Sequence, residues 1–186
     1  EEERFSRVKH DFGFPDLAIE FCLAKAGIAP GELDYVVFYE KPFQKFDRIL
    51  NTVLQTFPGS LKVFQDAMIN WIGDKLWVKT IIHKRLGVAL DRILFTEHHM
   101  SHACSAYLIS GFDESAIWSA DGRGEWSTSM AARAVGNEVT PIRRTYWPNS
   151  MGHFYTMFTS YLGFPGWDNE YKVMGLAGYG SPSLKD

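Results

Sequence analysis

The chain has 186 residues, 46% hydrophobic and 22% charged, enough apolar material for one well-buried domain and the balance of a folded protein rather than a disordered one. Nineteen Lys and Arg against 22 Asp and Glu leave a net charge of -3; this argues against a broad grip on nucleic acid or anionic lipid and leaves room for a local phosphate site. No run approaches the ~20 apolar residues of a membrane span, and Glu1-Glu2-Glu3-Arg4 is the opposite of a signal peptide, so the expected compartment is the cytoplasm. Cys22 and Cys104 stand far apart in apolar surroundings, the pattern of buried free thiols.

Pro15-Asp16 opens a helix whose apolar members Leu17, Ala18, Phe21, Cys22 and Ala24 recur at helical spacing until Gly27 stops it. Residues 33–39, β-branched and aromatic between Gly31 and Pro42, read as a buried strand. Residues 43–86 are expected to be helical, with Pro58-Gly59 separating two helices. Within them Phe57, Phe64, Trp71 and Trp77 fall about two helical turns apart and read as a packing stripe.

Residues 92–96 are the next expected strand and lead into a helix over 97–110 that Gly111 ends. A third strand, 115–120, runs into Asp121-Gly122-Arg123-Gly124-Glu125, after which 128–134 and 139–146 alternate like a hairpin. Residues 151–162 read as a helix, and 166–180 as a glycine-rich loop with a short helical piece at 172–177. Strands alternating with helices, with glycine-rich turns at strand ends, define an α/β fold class. The charged start without an opening strand, and the end soon after a glycine-rich loop, read as a piece of something longer.

Chemistry concentrates in three places. In His98-x-x-x-His102, residues four apart on a helix share one face, so both imidazoles can reach a single divalent metal, while His99 points roughly 100° away. The plain alternative is a polar first turn with solvent-facing histidines. In Asp121-Gly122-Arg123-Gly124-Glu125, a carboxylate at a strand end can hold a metal while the glycines leave backbone amides free to approach a phosphate. The same string also reads as a simple turn into a hairpin. Both motifs follow parallel-looking strands, which would place them on one sheet edge, where α/β sites collect.

The third stretch, residues 163–180, sets Asp168, Glu170 and Lys172 among glycines that would let the chain fold around a nucleotide; it matches neither a P-loop nor G-x-G-x-x-G, and a structural loop is an equal reading. His153 reads as a satisfied buried histidine before a catalytic one. Ser101 lies in no nucleophile elbow and Cys104 lacks the setting that lowers a thiol pKa, so both read as structural.

The strings E-H-H-M-S-H-A-x-S-A-Y from Glu97 to Tyr107, D-G-x-G-E from Asp121 to Glu125 and E-x-K-V-M-G-L-A-x-Y-G from Glu170 to Gly180 resemble, in order, the family of nodulation-factor and antibiotic O-carbamoyltransferases. The opening from Glu2 to Asp11 is similar to the segment that follows that family's first strands. The resemblance implies a partial actin-like (ASKHA) domain over 1–186, its first strands and later half missing, with 43–86 as a helical insertion. It implies transfer of a carbamoyl group from carbamoyl-adenylate to a hydroxyl on a small-molecule acceptor, the adenylate being made from ATP and carbamoyl phosphate by a separate C-terminal YrdC-like domain.

By the same resemblance, His98, His102 and Asp121 would bind a divalent metal, usually Fe(II), completed by an aspartate from later in the family's sequence. That ion would neutralise the adenylate phosphate and polarise the mixed anhydride. Gly122 and Gly124 would bring amides to the phosphate, Glu125 would orient the ligand or the glycine loop, and Lys9, His10 and Lys172 would be anion contacts. An isolated fragment is expected to be inactive, with no nucleic-acid or membrane partner, and the helices of 43–86 could supply a homodimer interface. The competing readings are a metal-dependent phosphotransferase or hydrolase of the same fold, and a non-catalytic interaction module.

Overall fold

The structure, a computed structural model, describes residues 1–11, 13–166 and 168–183. In chain order the elements are α1 (Glu3–Ser6), α2 (Asp16–Ala26), β1 (Val36–Phe38), α3 (Pro42–Gln55), α4 (Leu61–Gly73), α5 (Val78–Leu86), β2 (Ile93–Phe95), α6 (His98–Tyr107), β3 (Glu114–Ala120), β4 (Ser127–Val135), β5 (Glu138–Tyr146), α7 (Met151–Tyr161) and α8 (Glu170–Ala177). This mixed α/β chain divides into two compact units, Glu1–Phe38 with Asn70–Phe95, and Tyr39–Ile69 with Thr96–Asp186.

In the first unit, the free amides at the start of α2 are satisfied by Glu2, whose carboxylate accepts from Leu17 N–H at 3.1 Å and Ala18 N–H at 2.8 Å. Gly27, at φ +69°, closes the helix in the left-handed conformation that glycine adopts without a steric penalty. β1 pairs in parallel with β2, Val36 opposite Ile93 and Phe38 opposite Phe95. Both strands are shorter than their apolar runs, and a 3₁₀ turn (Pro30–Glu32 and Leu90–Arg92) precedes each. Ile82, Val88 and Ile93 form the core, joined by Phe14, Leu33, Val36, Phe38, Val78 and Leu86.

Between the parallel strands the chain is helical, as a parallel crossover requires. The break at Pro58-Gly59 separates α3 from α4, but a second one at Gly73-Asp74, followed by a 3₁₀ turn over Lys75–Trp77, makes three helices rather than two. Glycine's poor helix propensity places that break. It also dissolves the expected aromatic stripe: Trp71 is 5% exposed, whereas Phe57 and Trp77 are 62% and 55% exposed. Spacing defines a face only along one continuous helix. The boundary between the units falls inside α4, so residues 43–86 contribute to both.

The second unit is built on the antiparallel sheet β3-β4-β5. β3 and β4 pair from Glu114 opposite Val135 to Ala120 opposite Ser129, and Gly136 at φ +58° turns the chain from β4 into β5. α6 packs across the sheet, burying Ala103 against Met130 and Ala132, with Ile117 and Val139 around them. β2 pairs with β1 and β3 with β4, so the strands that lead into the two motifs belong to different sheets. The expected shared sheet edge is therefore not what joins the motifs; α6 lying on β3 and β4 is.

Both cysteines are free, as expected, but neither is buried: Cys22 is exposed and Cys104 half-buried. α2 buries no side chain fully, and the buried face of α6 runs through His99, Ala103 and Tyr107, which Cys104 misses. No helix among the described residues is long and apolar enough to cross a membrane.

Candidate metal centre

α6 begins at His98 because its first amides find acceptors. Glu97 sits in an extended conformation (φ −75°, ψ 145°) and its carbonyl takes the Ser101 N–H at 2.8 Å. The His98 N–H donates to the Glu125 carboxylate, 3.1 and 3.2 Å from its two oxygens. The same carboxylate accepts the Lys41 N–H at 2.8 Å, and Glu125 is only 5% exposed. A carboxylate over a helix N-terminus also complements the helix dipole. Glu97 points its own side chain away, pairing with Arg144 at 2.6 Å and Lys41 at 3.6 Å.

The helical spacing then places His98 and His102 together, ring centroids 4.7 Å apart and nearly perpendicular at 80°. His99 turns the other way, into the sheet. Its Nε2–H donates to the Ser127 carbonyl at 3.0 Å and the Ser119 hydroxyl donates to its Nδ1 at 2.8 Å, so it holds α6 on β3 and β4 as a neutral ring. Burial lowers its pKa.

Asp121 follows β3, and its N–H still donates to the Thr128 carbonyl at 3.0 Å, continuing the ladder. Its Oδ1 accepts the Gly122 N–H at 2.6 Å. Its Oδ2 faces both imidazoles, 2.8 Å from His98 Nε2 and 3.2 Å from His102 Nε2. The hydrogen bond from His98, more than any other contact, holds the Asp121 carboxyl far below the usual carboxylate range, against the opposing effect of burial.

His98, His102 and Asp121 thus each offer one donor atom within 4.8 Å of the others. Ligands ~2.0–2.2 Å from one tetrahedral ion stand about 3.3 Å from each other. The observed pairwise separations of 2.8, 3.2 and 3.2 Å are close to that. Two neutral nitrogens and one carboxylate oxygen form a donor set that suits Fe(II), Zn(II) or Mn(II). The group opens on a cavity of about 220 Å³ that Tyr39, Ser101 and Ser105 also line. The side chains of His102 and Asp121 are 51% and 40% exposed there, so a ligand can reach the donors from solvent.

The glycines act differently from one another. A Cβ at Gly122 would meet nothing within 4 Å, whereas one at Gly124 would lie 3.0 Å from the His98 Cβ and 3.2 Å from both His98 Cδ2 and the Ser127 carbonyl. Gly124 therefore lets the loop close onto His98, and its N–H is taken by the Ser127 carbonyl at 2.8 Å. The structure gives Glu125 the helix-capping contacts described above. Lys9 is exposed and belongs to the first unit, whereas His98, His102 and Asp121 are in the second. Lys172, on α8, packs its ammonium over Phe164 and Tyr171 at 5.9 and 5.8 Å. Of the stretch 163–180, residue 167 lies outside the described residues. His153 is half-buried, its ring edge-on to Trp147 at 5.3 Å.

Three residues absent from the sequence reading shape the site. Ser150 caps α7, accepting the His153 N–H at 3.0 Å, and its hydroxyl lies 2.7 Å from the Gly122 carbonyl and 3.2 Å from that of Asp121. Gly152 lies against the peptide joining Asp121 to Gly122: a Cβ there would come within 2.5 Å of the Asp121 carbonyl carbon. Glu40, 7% exposed, pairs with Lys45 at 2.6 Å and has its Oε2 3.9 Å from His98 Nδ1. The sequence signals were a Ser two residues before a glycine at a helix start, and an acidic residue just past a strand.

These features define a two-histidine, one-carboxylate centre in an α/β chain. The sequence matches the family described as Carbamoyltransferase N-terminus over residues 1–186, and the chain belongs to that family. It is 46% identical to an uncharacterized protein of Synechocystis, over 100% of this chain and 31% of that protein. It is 36% identical to the nodulation protein NolNO of Sinorhizobium fredii, over 98% of this chain and 26% of that protein. An uncharacterized protein of Methanocaldococcus jannaschii is 30% identical over 96% of this chain and 28% of its own length. The chain spans less than a third of each of these relatives.

Proposed function

We propose that the chain carries the metal-binding part of an O-carbamoyltransferase, which moves a carbamoyl group from carbamoyl-adenylate to a hydroxyl on a small-molecule acceptor. The observation that carries this reading is the convergence of His98 Nε2, His102 Nε2 and Asp121 Oδ2 within one accessible cavity, in a member of a carbamoyltransferase family. His98, His102 and Asp121 would hold a divalent ion, with Fe(II) as the first candidate. Bound there, the ion supplies Lewis-acid neutralisation of the adenylate phosphate and polarisation of the mixed anhydride.

The chain's own residues prepare that chemistry. Asp121 is ionised throughout the neutral range, so it brings negative charge to a cation without first losing a proton. Glu125 and Gly124 seat His98, and Ser150 and Gly152 seat the Asp121-Gly122 peptide, so the three donors are set before a ligand arrives. In the reaction the acceptor oxygen bonds to the carbamoyl carbon, the hydroxyl proton is lost to water, the bond from that carbon to the phosphate oxygen breaks, and AMP leaves.

On this reading the chain is part of an actin-like domain, with 43–86 as a helical insertion, and a YrdC-like domain makes the adenylate from ATP and carbamoyl phosphate. The expected setting is cytoplasmic, a homodimer could form through the inserted helices, and nucleic acid plays no part. The test uses the complete protein carrying His98→Ala or His102→Ala. Acceptor carbamoylation should be lost while formation of carbamoyl-adenylate persists. Equal loss of both activities would refute the role given to the pair.

A further inference from the structure

The two ring nitrogens of His98 have unlike surroundings. Nε2 faces Asp121 and His102, but Nδ1 is buried with no hydrogen-bond partner. Buried polar atoms are normally paired, so an orphaned one at a ligand residue calls for a partner. The charged group facing it is the Glu40 carboxylate, with Oε2 3.9 Å away. Glu40 and His98 are held in register by a third residue: the Glu125 carboxylate accepts both the His98 N–H and the N–H of Lys41, which follows Glu40.

A metal on Nε2 requires the ring proton to sit on Nδ1, where it needs an acceptor. We propose that Glu40 is the positioning residue for His98, accepting its Nδ1–H and so fixing the tautomer and orientation in which Nε2 is offered to a metal. This rests on the metal-centre reading above. Closing 3.9 Å to hydrogen-bond distance takes a shift of about 1 Å. A side-chain rotation of Glu40 supplies it; Lys45, 2.6 Å from the same oxygen, is the other charged partner of that carboxylate. The arrangement is the carboxylate–histidine–metal relay, in which the outer carboxylate makes the imidazole a more basic ligand.

The test is a cobalt(II) titration of the complete protein, reading affinity by competition with a chelating dye and site geometry by visible absorption. Wild type, Glu40→Met, Glu40→Gln and Lys45→Met are compared. Glu40→Met should weaken cobalt binding about 10–100-fold and alter the absorption bands. Glu40→Gln should recover part of the loss, because its amide oxygen still accepts the Nδ1–H. Lys45→Met, which breaks the same ion pair but leaves the carboxylate, should bind cobalt nearly as wild type does.

If Glu40 served only its pair with Lys45, the Glu40→Met and Lys45→Met variants would lose affinity together, and the proposal would be wrong. Wild-type affinity and spectra in both Glu40 variants would overturn it equally. A wild type that takes up no cobalt would overturn the metal-centre reading, and this assignment with it.

Discussion

Replacing Gly152 by Ala tests the close packing beneath the site. In an ordinary helix the change would stabilise by about 1 kcal/mol, since alanine is the better helix former. Here the new methyl would lie 2.5 Å from the Asp121 carbonyl carbon and 2.6 Å from both the Asp121 oxygen and the Gly122 nitrogen. Comfortable contact needs about 3.5–4.0 Å, so the overlap is at least about 1 Å, and all three atoms are backbone that cannot rotate aside. Overpacking of this kind costs ~1–3 kcal/mol, and a clash with backbone belongs at the upper end. The net expectation is a loss of about 2 kcal/mol, opposite in sign to propensity alone. Gly122→Ala is the internal control, because a Cβ there meets nothing within 4 Å. Urea unfolding followed by tryptophan fluorescence reads both variants. The reasoning fails if Gly152→Ala unfolds at or above the wild-type midpoint, or if Gly122→Ala is the more damaging of the two.

Glu125→Ala leaves the half-buried N–H groups of Lys41 and His98 without their carboxylate acceptor, at a cost of ~1–3 kcal/mol for each group that water does not reach; hydrogen exchange at those two amides should accelerate. His99, with its pKa lowered by burial, binds a proton more weakly folded than unfolded. Its stabilising contribution is therefore complete above the unfolded value of ~6.5 and lost as pH falls through the folded one. Unfolding free energy measured from pH 7.5 downward should show a decline that His99→Gln reduces; an unchanged slope would contradict the neutral-ring assignment. Cys104→Ser should leave carbamoyl transfer nearly unchanged, and a large loss would revive a catalytic thiol.

The part of the site legible in the sequence is the part made by local rules. Helical spacing pairs His98 with His102 and turns His99 away, and an acidic residue beyond an apolar strand marks Asp121. Those rules also place α2, the β4–β5 hairpin and α7 within a residue or two of their expected bounds, whereas α6 ends at Tyr107, short of the expected Ser110. What sequence does not reveal is which distant segments meet. Glu40 and Glu125 enter the site through contacts between positions such as 41 and 125, 84 apart. Gly152 looks like any small residue in a helix start until the Asp121-Gly122 peptide is seen against it. Gly124 was conspicuous for another reason: its missing Cβ makes room for His98, whereas the motif suggested room for a phosphate. The expected sheet edge fails for a related reason, since strand pairing is a long-range choice that a strand's own residues do not encode.

The central claim, that His98, His102 and Asp121 hold one metal ion, is tested most directly by elemental analysis of the complete protein, purified without a histidine tag or chelator and re-incubated with Fe(II), beside His98→Ala. The account predicts near-stoichiometric iron or zinc in the wild type and its loss from the variant. Metal retained at the wild-type level in His98→Ala, or a wild type that binds none, would contradict it.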